Sequence, residues 1–335
     1  MDSAELYRDS FVWDNHGGFS LQADEPLAPL LGPWQEAAVG YLSVNVAFDL
    51  WPWPRAILNI AALRRRLPLE VPGCRIVATV EDIDRARAEG EMAITFDIEG
   101  MNALDGRLEL VGLYHALGVR QMLVAYNRNN LAGSGCHDED TGLTPFGRDV
   151  IGEMNAVGMV VDCSHCGFRT SMEAMEHSAD PVIFSHSNPA ALVDHARNIS
   201  DAQIRACAET DGVVGINGIN LFLGERVPRA ATVARHVAHV AELTGPEHVG
   251  LSLDYVPDPG RDTEGDDGNE ALSRLFAASP EYWPACGGYD GTVSCLDVRR
   301  LPEVTEELVA IGFGTREIAG ILGGNFRRVA ERVWK

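Results

Sequence analysis

The chain has 335 residues, and its 27 Lys and Arg against 49 Asp and Glu give a net charge of 27 − 49 = −22 at pH 7 with neutral His. Hydrophobic residues make up 46% and charged residues 23%, the balance of a folded protein rather than a disordered one. So acidic a chain is a poor partner for nucleic acid or an anionic membrane surface, because phosphate groups bind basic patches. We therefore expect neither partner.

The N-terminal segment Met1–Phe11 lacks the basic start and apolar run of a secretory signal. No stretch of sequence approaches the roughly 20 apolar residues that span a bilayer. The seven cysteines are odd in number and irregularly spaced, which favours reduced thiols over a disulfide framework. These features together predict a cytoplasmic protein.

Short apolar, β-branched runs alternate with helical patterns along most of the chain. Several runs are almost continuously hydrophobic, as expected for parallel strands buried on both faces. The eight predicted strands are Phe11–Asp14, Tyr41–Ala47, Met92–Asp97, Val119–Ala125, Met159–Cys163, Val182–Ser185, Val213–Asn217 and His248–Leu253.

Helical patterns fall between these strands and continue after the last one. In Phe146–Val157 the apolar residues lie on one helical face, and Gly158 is predicted to end the helix as a left-handed cap. Ser200 is the predicted N-cap of another helix. The remaining predicted helices are Arg55–Leu67, Leu108–Leu117, Asp201–Glu209, Ala231–Leu243, Glu270–Ala277, Val304–Ile311 and Thr315–Leu322.

Eight strands with intervening helices predict an α/β fold, a (β/α)8 TIM-type barrel. We expect one domain over residues 1–335, with a C-terminal helical annex from about residue 270. The alternative is an open doubly wound sheet. No glycine-rich dinucleotide fingerprint follows the first predicted strand, which weakens that alternative.

Two segments are predicted to be irregular. In Trp51-Pro52-Trp53-Pro54, each proline lacks an N–H and restrains the residue before it, which argues against a regular helix or a central strand. The segment Tyr255–Asn269 is rich in Asp, Gly and Pro. We interpret it as a solvated loop, with a calcium site as the alternative.

Polar residues follow the apolar runs, where the strands of a barrel deliver side chains to the catalytic face. Imidazole and carboxylate groups are the usual ligands of zinc and related divalent ions. Their placement at the ends of different strands therefore predicts a metal hydrolase. The polar residues that follow the apolar runs are Asp14 and His16, Asp97 and Glu99, Tyr126 and Asn127, Asp162 and His165, Ser185 and His186, and Asp254.

Other candidate residues are interpreted as structural. Cys163 and Cys166 have a C-x2-C spacing without a second pair nearby, so we expect buried thiols rather than a redox or zinc site. Residues 133–137, which include a Gly-Ser-Gly run and a histidine, are expected to form a solvated loop. His236 and His239 lie three residues apart, and we expect them on a helix surface.

Several phrases along the chain resemble the renal (membrane) dipeptidase family of zinc peptidases, peptidase family M19. They run in family order from about residue 11 to residue 335. The resemblance implies a (β/α)8 barrel of the amidohydrolase type and, because the family often forms one, a possible homodimer. The phrases are TGLTPFGRDV at 141–150, MN at 154–155, GM at 158–159, DCSH at 162–165, PVIFSHSN at 181–188, RN at 197–198, GVR at 118–120, HVG at 248–250 and GGNF at 323–326.

The resemblance also implies roles for particular residues around two zinc ions. His16 matches a ligand of the first zinc, Glu99 matches the glutamate that bridges the two ions, and His165 and His186 match ligands of the second. Asp254 matches the acid/base aspartate. Arg197 matches an arginine that clamps the substrate carboxylate, and Tyr126 occupies the position of a histidine that stabilises the tetrahedral intermediate.

Two departures from the family pattern affect the chemistry. Gly18 stands where the family has an aspartate ligand, so we expect the first site to bind metal weakly or not at all. Asp14 is no obvious replacement, because an aspartate commonly precedes this motif in the family. Tyr126 can donate a hydrogen bond to an oxyanion, but it cannot carry positive charge as histidine can.

We therefore expect a metal-dependent hydrolase, with one or two zinc or other divalent ions, that cleaves the amide bond of a dipeptide or small N-acyl amino acid by metal-activated water. Two alternatives stay open. One is an altered or inactive barrel that binds a small carboxylate ligand. The other is a hydrolase of a non-peptide amide such as a cyclic imide or lactam.

Overall fold

A computed structural model describes residues 2–18, 25–258 and 268–335. In these residues a ring of parallel strands is surrounded by helices. The strands are β1 (Trp13–Gly17), β2 (Tyr41–Phe48), β3 (Cys74–Ile76), β4 (Met92–Glu99), β5 (Val119–Leu123), β6 (Val160–Asp162), β7 (Val182–Ile183), β8 (Val214–Ile216) and β9 (Val249–Leu251).

The helices lie mostly between consecutive strands, as a βαβ alternation requires. Their bounds are α1 (Ser3–Asp9), α2 (Leu27–Glu36), α3 (Trp53–Glu70), α4 (Val80–Ala88), α5 (Glu109–Ala116), α6 (Pro145–Val157), α7 (Phe168–His177), α8 (Asp201–Glu209), α9 (Asn220–Leu223), α10 (Ala230–Thr244), α11 (Glu270–Ala278), α12 (Leu301–Ala310), α13 (Thr315–Ala319) and α14 (Asn325–Val333).

The sheet closes into a barrel through single backbone bridges. Strands β1, β2, β4, β5, β6 and β7 pair in that order, and β8 pairs with β9. Phe184 and Val214 form a parallel bridge between the end of β7 and β8, and Gly17 and Tyr255 form another between β1 and the segment after β9. The short β3 pairs only with the start of β4. Eight strands therefore form the wall, and their carboxyl ends meet at one mouth.

Strands β2 and β4 are buried at all eight of their positions. This burial explains their almost continuous hydrophobicity, because one face of each strand meets the barrel interior and the other meets the helices. The predicted TIM-type barrel is confirmed. Each of the eight predicted barrel strands is present, with ends shifted by a few residues.

Helix α14 closes the mouth at the amino ends of the strands. Its Phe326 is 2% exposed and packs with Trp13 and Tyr41. A Cβ on Gly250 would lie 2.5 Å from the Phe326 ring, and one on Gly215 would lie 3.0 Å from it. Glycine at both strand positions therefore leaves the space that this ring fills.

The helices after residue 270 pack on three different parts of the barrel. Leu272 and Phe276 of α11 cluster with aromatic residues above the carboxyl ends of the strands. Helix α12 packs against α1 and α10, whereas α14 contacts α4, β1 and β9. The predicted annex is thus spread around the barrel instead of forming one block.

Local capping signals in the sequence are confirmed. Gly158 has φ +85° directly after α6. Ser200 caps α8 and forms a capping box with Gln203. The helices α1, α2, α4, α7, α9 and α14 and the strand β3 were not predicted, since each is short or has its apolar residues interrupted.

The prediction for Trp51-Pro52-Trp53-Pro54 was wrong in its second half. Helix α3 begins at Trp53, with Pro54 in its first turn and Pro52 as an extended N-cap. The first-turn N–H groups of a helix have no intrahelical acceptor, and proline's fixed φ suits the start of a helix. The two prolines therefore start this helix.

Two interpretations of histidine-containing segments were also wrong. In residues 133–137, Ser134 is fully buried, and His137 Nε2 lies 3.0 Å from the Tyr289 hydroxyl. His236 is fully buried in α10, and His239 Nε2 lies 2.9 Å from Asp201 Oδ1. In both segments the histidines contact neighbouring elements, which the local sequence does not reveal.

The structure agrees with the thiol interpretation. All seven cysteines are free, and Cys163 and Cys166 are both buried. Of the predicted acidic loop, residues 259–267 lie outside the described residues. In the parts of the chain that are described, no helix is both long and apolar enough to cross a membrane.

The burial of His236 predicts a pH-dependent stability. Burial, with the charge of Arg235 beside it, lowers the pKa of His236 to about 4. The unfolded chain takes up this proton near pH 6.5 and the folded chain only near pH 4, so stability is lost as the pH falls between these values. Between pH 7 and pH 5 the loss from this histidine amounts to about 2 kcal/mol.

Urea unfolding of wild type and His236→Leu at both pH values tests this prediction. The variant, which has no proton to bind here, loses about 2 kcal/mol less than wild type on acidification. Parallel losses in the two proteins would contradict it.

Candidate metal centre and active site

Three histidines surround one oxygen of Glu99 at the carboxyl mouth of the barrel. Glu99 Oε1 lies 3.3 Å from His186 Nε2, 3.4 Å from His165 Nε2 and 3.7 Å from His16 Nε2. All four residues are at least 94% buried. They come from β1, β4 and the segments after β6 and β7. The structure thus brings together the four residues predicted as metal ligands.

The other ring nitrogen of each histidine has its own partner. His16 Nδ1 lies 3.1 Å from Asp97 Oδ1, and His165 Nδ1 lies 2.7 Å from Asn127 Oδ1. These two partners fix the tautomers. The Asp97 carboxylate can only accept a hydrogen bond, so His16 Nδ1 is the donor. Asn127 donates through its Nδ2 to the Tyr282 carbonyl. The Oδ1 of Asn127 is therefore the acceptor for His165 Nδ1. When each ring is neutral, its lone pair is therefore on Nε2, which faces the centre.

His186 completes this arrangement. Its Nδ1 lies 2.6 Å from the hydroxyl of Ser185, and its ring stacks on His16 with centroids 4.1 Å apart. Its Nε2 lies 3.0 Å from His165 Nε2. Two imidazole nitrogens this close to each other and to Glu99 Oε1 form a concentrated set of electron-pair donors.

The pKa values of the histidines fall into two groups. Burial lowers the pKa of His165 and His186 well below the ordinary value, and the charges of Arg197 and His16 lower it further. For His16 burial also lowers the pKa, but Asp97, Glu99 and Asp254 raise it well above the ordinary value. His165 and His186 are therefore neutral at pH 7, the form that binds a metal.

This donor set fits a divalent cation. Ligand atoms of His16, Glu99 and His186 all lie within 4.8 Å of one another. Burial raises the pKa of Glu99 well above its ordinary value, although His16 lowers it. A cation at this point would favour the charged carboxylate and accept the imidazole lone pairs. Buried imidazoles oriented by second partners are the usual environment of protein-bound zinc.

Asp254 borders the same centre from the segment after β9. Its Oδ2 accepts a hydrogen bond of 2.9 Å from Asn217 Nδ2, and its Oδ1 lies 3.5 Å from His16 Nε2. Burial raises its pKa, while His16 and Arg197 lower it. The side chain keeps 15% of its surface exposed. Asp254 can therefore reach both the centre and a ligand above it.

Gly18 and Asp14 differ in their relation to the centre. A Cβ on Gly18 would lie 3.1 Å from Val256 Cγ2 and 3.9 Å from Asp254 Oδ1, so a side chain here would project beside Asp254. Asp14 instead accepts from Trp34 Nε1 at 2.8 Å and from the Leu253 N–H at 3.3 Å. Its oxygens link β1 to α2 and to the segment after β9.

Tyr126 lies flat against His165, with ring centroids 4.1 Å apart and an interplanar angle of 28°. Burial raises the pKa of Tyr126 well above its ordinary value, and the Glu99 charge raises it further. The phenol therefore remains protonated and can donate. Its backbone N–H donates to Asp49 Oδ2 at 3.1 Å, which anchors the strand end that carries it.

Arg197 lies beside the centre, next to His186. It is 2% exposed, and two of its terminal N–H groups donate to Ser187 Oγ at 2.8 Å and to the His186 carbonyl at 2.6 Å. Its Nε has no acceptor among the described residues. Arg197 is not among the residues that line the cavity. These contacts use two of the five guanidinium N–H groups, so the clamp on a substrate carboxylate stays a prediction.

A cavity of about 510 Å³ opens above the centre. This volume is within the range of small-molecule sites. The residues that line it are His16, Gly18, Glu25, Leu30, Asn45, Phe48, Trp51, Glu99, Tyr126, His165, Ile219, Phe222, Asp254, Val256, Pro257, Asp258, Ala271, Leu272, Arg274, Leu275, Phe276, Trp283 and Tyr289.

Three residues around the centre have left-handed backbone angles. The φ values are +58° at Asn127, +63° at His165 and +53° at Asp254. Residues other than glycine rarely adopt this backbone conformation, and those that do are often found at functional sites. Here it turns the chain sharply at the ends of three strands and directs these side chains toward the barrel axis.

Sequence reasoning missed the partners that orient the ligands. Asp97 and Asn127 were recognised as polar strand-end residues, and so was Ser185, but none was given a role. Asp97 also accepts from Ser43 Oγ at 2.6 Å and Asn45 Nδ2 at 3.0 Å. Asp97 lies two residues before Glu99 on β4 and so shares its face, a signal that could have placed it beside the centre.

Comparisons with known proteins agree with this geometry. Residues 54–267 match the membrane dipeptidase family, peptidase family M19. The chain is 30% identical to dipeptidase tcpJ of Claviceps purpurea over 82% of its own length, but it spans only 59% of that protein. An amidohydrolase structure from Pseudomonas aeruginosa superposes with a TM-score of 0.88 at 26% identity, over 100% of this chain and 99% of that one.

A more distant structure matches in fold. It is a metallo peptidase from Rhodobacter sphaeroides, solved with a phosphinate mimic of the dipeptide L-Ala-D-Ala. Its TM-score is 0.77 at 21% identity, over 97% of this chain and 100% of that one.

The barrel and its buried histidine–carboxylate centre define the class of amidohydrolase-type barrels. Within that class, the family match covers well over half of the chain. The chain belongs to the membrane dipeptidase family, peptidase family M19.

The space at Gly18 leads to a prediction about metal content. In Gly18→Asp the new carboxylate would project beside Asp254, so we expect more divalent metal bound per chain, or tighter binding. Atomic absorption after dialysis against zinc measures the stoichiometry. Gly152→Asp on α6, where an added Cβ meets nothing within 4 Å, is the matched control and leaves it unchanged. Equal metal content in Gly18→Asp and the control would contradict the prediction.

The hydrogen bond between His16 and Asp97 leads to a prediction about metal affinity. In Asp97→Asn, His16 loses a charged partner that fixes its tautomer, and metal affinity should fall about 10- to 100-fold. Competition with a chromophoric chelator gives the affinity. Circular dichroism checks that the barrel is intact. An affinity equal to that of wild type would show that Asp97 does not orient the ligand.

Proposed function

We propose that this protein is a metal-dependent hydrolase that cleaves the amide bond of a dipeptide. His16, Glu99, His165 and His186 are the proposed ligands. The observation that supports the proposal most directly is the convergence of three imidazole Nε2 atoms on Glu99 Oε1 at the barrel mouth. Membership in peptidase family M19 supports the reaction class.

Zinc is the metal we propose for this centre, because nitrogen and carboxylate ligands suit it. When bound, such an ion polarises the scissile carbonyl and lowers the pKa of water. The neutral state of His165 and His186 and the buried Glu99 carboxylate support binding of at least one ion. A second ion would lack a ligand at Gly18, so we propose that its site is the weaker one.

Asp254 is the proposed general acid and base. Its Oδ2 is held by Asn217, and its Oδ1 faces His16 Nε2. Because burial raises its pKa, Asp254 is a better proton acceptor than an exposed aspartate. In the proposed reaction it takes the proton of the attacking water and returns it to the leaving amine.

Tyr126 is the proposed hydrogen-bond donor to the developing oxyanion. Its phenol stays protonated at neutral pH, and its ring is fixed against His165. A neutral donor stabilises the oxyanion less than an imidazolium would. The surrounding aromatic residues limit the access of water and so strengthen this hydrogen bond.

Arg197 contributes positive charge beside the centre, where it favours the ionised form of Asp254. Two of its nitrogens position His186 and Ser187. Its Nε–H has no acceptor among the described residues, and each terminal nitrogen has a second N–H, so donors remain for the proposed contact with a substrate carboxylate.

We also propose a small-molecule substrate, a cytoplasmic location and a homodimer. Seven free thiols support a reducing compartment. The cavity of about 510 Å³ is of a size that admits a dipeptide. Light scattering of the purified protein tests the dimer.

Replacement of Glu99 tests the function. In Glu99→Gln the centre loses its charged ligand, so we expect loss of bound metal and a fall in kcat/KM of about 100-fold or more. Amine release from a dipeptide panel and metal analysis are measured together. Glu306→Gln, at an exposed position on α12, is the matched control and retains both.

The opposite results would count against the proposal. Protein that holds no divalent metal and releases no amine after addition of zinc, cobalt or manganese would overturn it. Tight ligand binding without turnover, unaffected by Glu99→Gln, would favour the inactive-barrel alternative.

A further inference from the structure

Seven of the residues that line the cavity are Phe, Tyr or Trp, and they belong to one packed cluster. We call this surface the aromatic wall. Six of its seven members are at most 9% exposed, and Trp51 is half-buried. None of them carries a charge. The wall consists of Phe48, Trp51, Tyr126, Phe222, Phe276, Trp283 and Tyr289.

The rings of the wall hold one another in place. Trp283 stacks on Phe276 with centroids 4.9 Å apart, and it meets Tyr126 edge-on at 6.0 Å. Phe48 packs on Trp51 at 4.2 Å, and Tyr289 meets Phe276 edge-on at 5.2 Å. Side chains locked in this way lose little further entropy when they bind a ligand.

The two phenol groups of the wall have a partner or face the metal centre. The Tyr289 hydroxyl lies 3.0 Å from His137 Nε2. Tyr126 lies against His165 and is the proposed oxyanion donor. The rest of the wall presents ring surface, which gains free energy when it is covered by apolar groups.

Part of the wall belongs to a region outside the family match. Phe276, Trp283 and Tyr289 follow residue 267, where that match ends. They come from α11 and the segment after it, which cover the barrel mouth. Phe48 and Trp51 precede residue 54, where the match begins, so of the wall only Tyr126 and Phe222 lie within the matched segment.

We propose that the aromatic wall binds a large apolar or aromatic side chain of the substrate, so that the protein prefers dipeptides that carry such a residue. The preference rests on the proposed function, because Tyr126 places the wall directly beside the metal centre. A cavity of about 510 Å³ has room for such a side chain. Small or charged side chains would leave the rings uncovered or would lose their own hydration.

The size of the preference follows from burial of apolar surface. Full burial of a Phe or Leu side chain changes binding by an amount that corresponds to about 10- to 100-fold. We therefore expect kcat/KM for Phe-Ala or Ala-Phe to exceed that for Ala-Ala by about this factor. Asp-Ala and Lys-Ala should be no better than Ala-Ala.

Two variants of the aromatic wall and one control test whether the wall causes the preference for an aromatic dipeptide. Trp283→Leu and Phe276→Leu remove ring surface, so the ratio of kcat/KM for the aromatic dipeptide to that for Ala-Ala should fall about five-fold or more. Phe168→Leu on α7 is the matched control, because Phe168 is 52% exposed and is not among the cavity residues. Its ratio should equal that of wild type. Thermal melts show whether the variants are folded.

A binding measurement separates this inference from the proposed function. Phosphinate analogues of Phe-Ala and Ala-Ala are titrated into wild-type protein while the tryptophan fluorescence is recorded, which requires no turnover. The Phe analogue should bind about 10- to 100-fold more tightly and perturb the tryptophan emission. Absence of hydrolysis with this preference intact would overturn the function and leave the wall assignment in place.

Other results overturn the wall assignment itself. Hydrolysis of dipeptides with Ala-Ala as good a substrate as Phe-Ala and Ala-Phe, or equal affinity of the two analogues, would do so. Ratios in Trp283→Leu and Phe276→Leu that match that of Phe168→Leu would also do so. In each case the proposed hydrolase activity would be unaffected.

Discussion

The structure of the site depends on one electrostatic constraint: a buried carboxylate oxygen lies within 4 Å of three imidazole nitrogens. Lone pairs and negative charge gathered in a protein interior repel one another unless positive charge lies among them, as a proton on His16 or a bound cation. The fold holds them there through a second partner for each imidazole, namely Asp97, Asn127 and Ser185. These partners orient the ring nitrogens and so support the proposal that the centre holds a metal ion.

The barrel brings the site residues together, and the backbone at the strand ends sets the directions of their side chains. Because eight parallel strands end at one mouth, residues as distant in sequence as His16 and Asp254 can meet. The left-handed backbone at His165 and Asp254 then turns these side chains toward the axis. Strain at these points is offset by the packing and hydrogen bonds of the surrounding barrel.

The barrel could be predicted because its strands are buried on both faces and leave long apolar runs, as in β2 and β4. The meeting of the candidate ligands could be predicted because imidazole and carboxylate groups follow those runs. The hydrogen bonds of Arg197 could not, because whether its guanidinium faces a cavity or its own chain depends on the fold of the His186 segment. The burial of His236 and the contact of His137 with Tyr289 could not either, since elements distant in sequence decide them.

The aromatic wall could not be predicted from the sequence either. Phe48 and Trp283 are separated by more than 230 residues, and no local pattern connects them, yet their rings lie 6.3 Å apart. Phe276 can be recognised from sequence as part of a helix but not as part of a cavity. Most of the proposed specificity surface thus comes from segments outside the motifs of the candidate metal centre.

The packing of Phe326 beneath Gly215 and Gly250 has a consequence for biosynthesis. During translation, β1 leaves the ribosome hundreds of residues before Phe326. The ring of Phe326 closes the end of the barrel where the strands begin. At roughly 5–20 residues per second, β1 waits tens of seconds for Tyr255 and Phe326, its last neighbours. During that interval the nascent half-barrel exposes apolar surface, and chaperones that shield such intermediates become relevant to the yield of native protein.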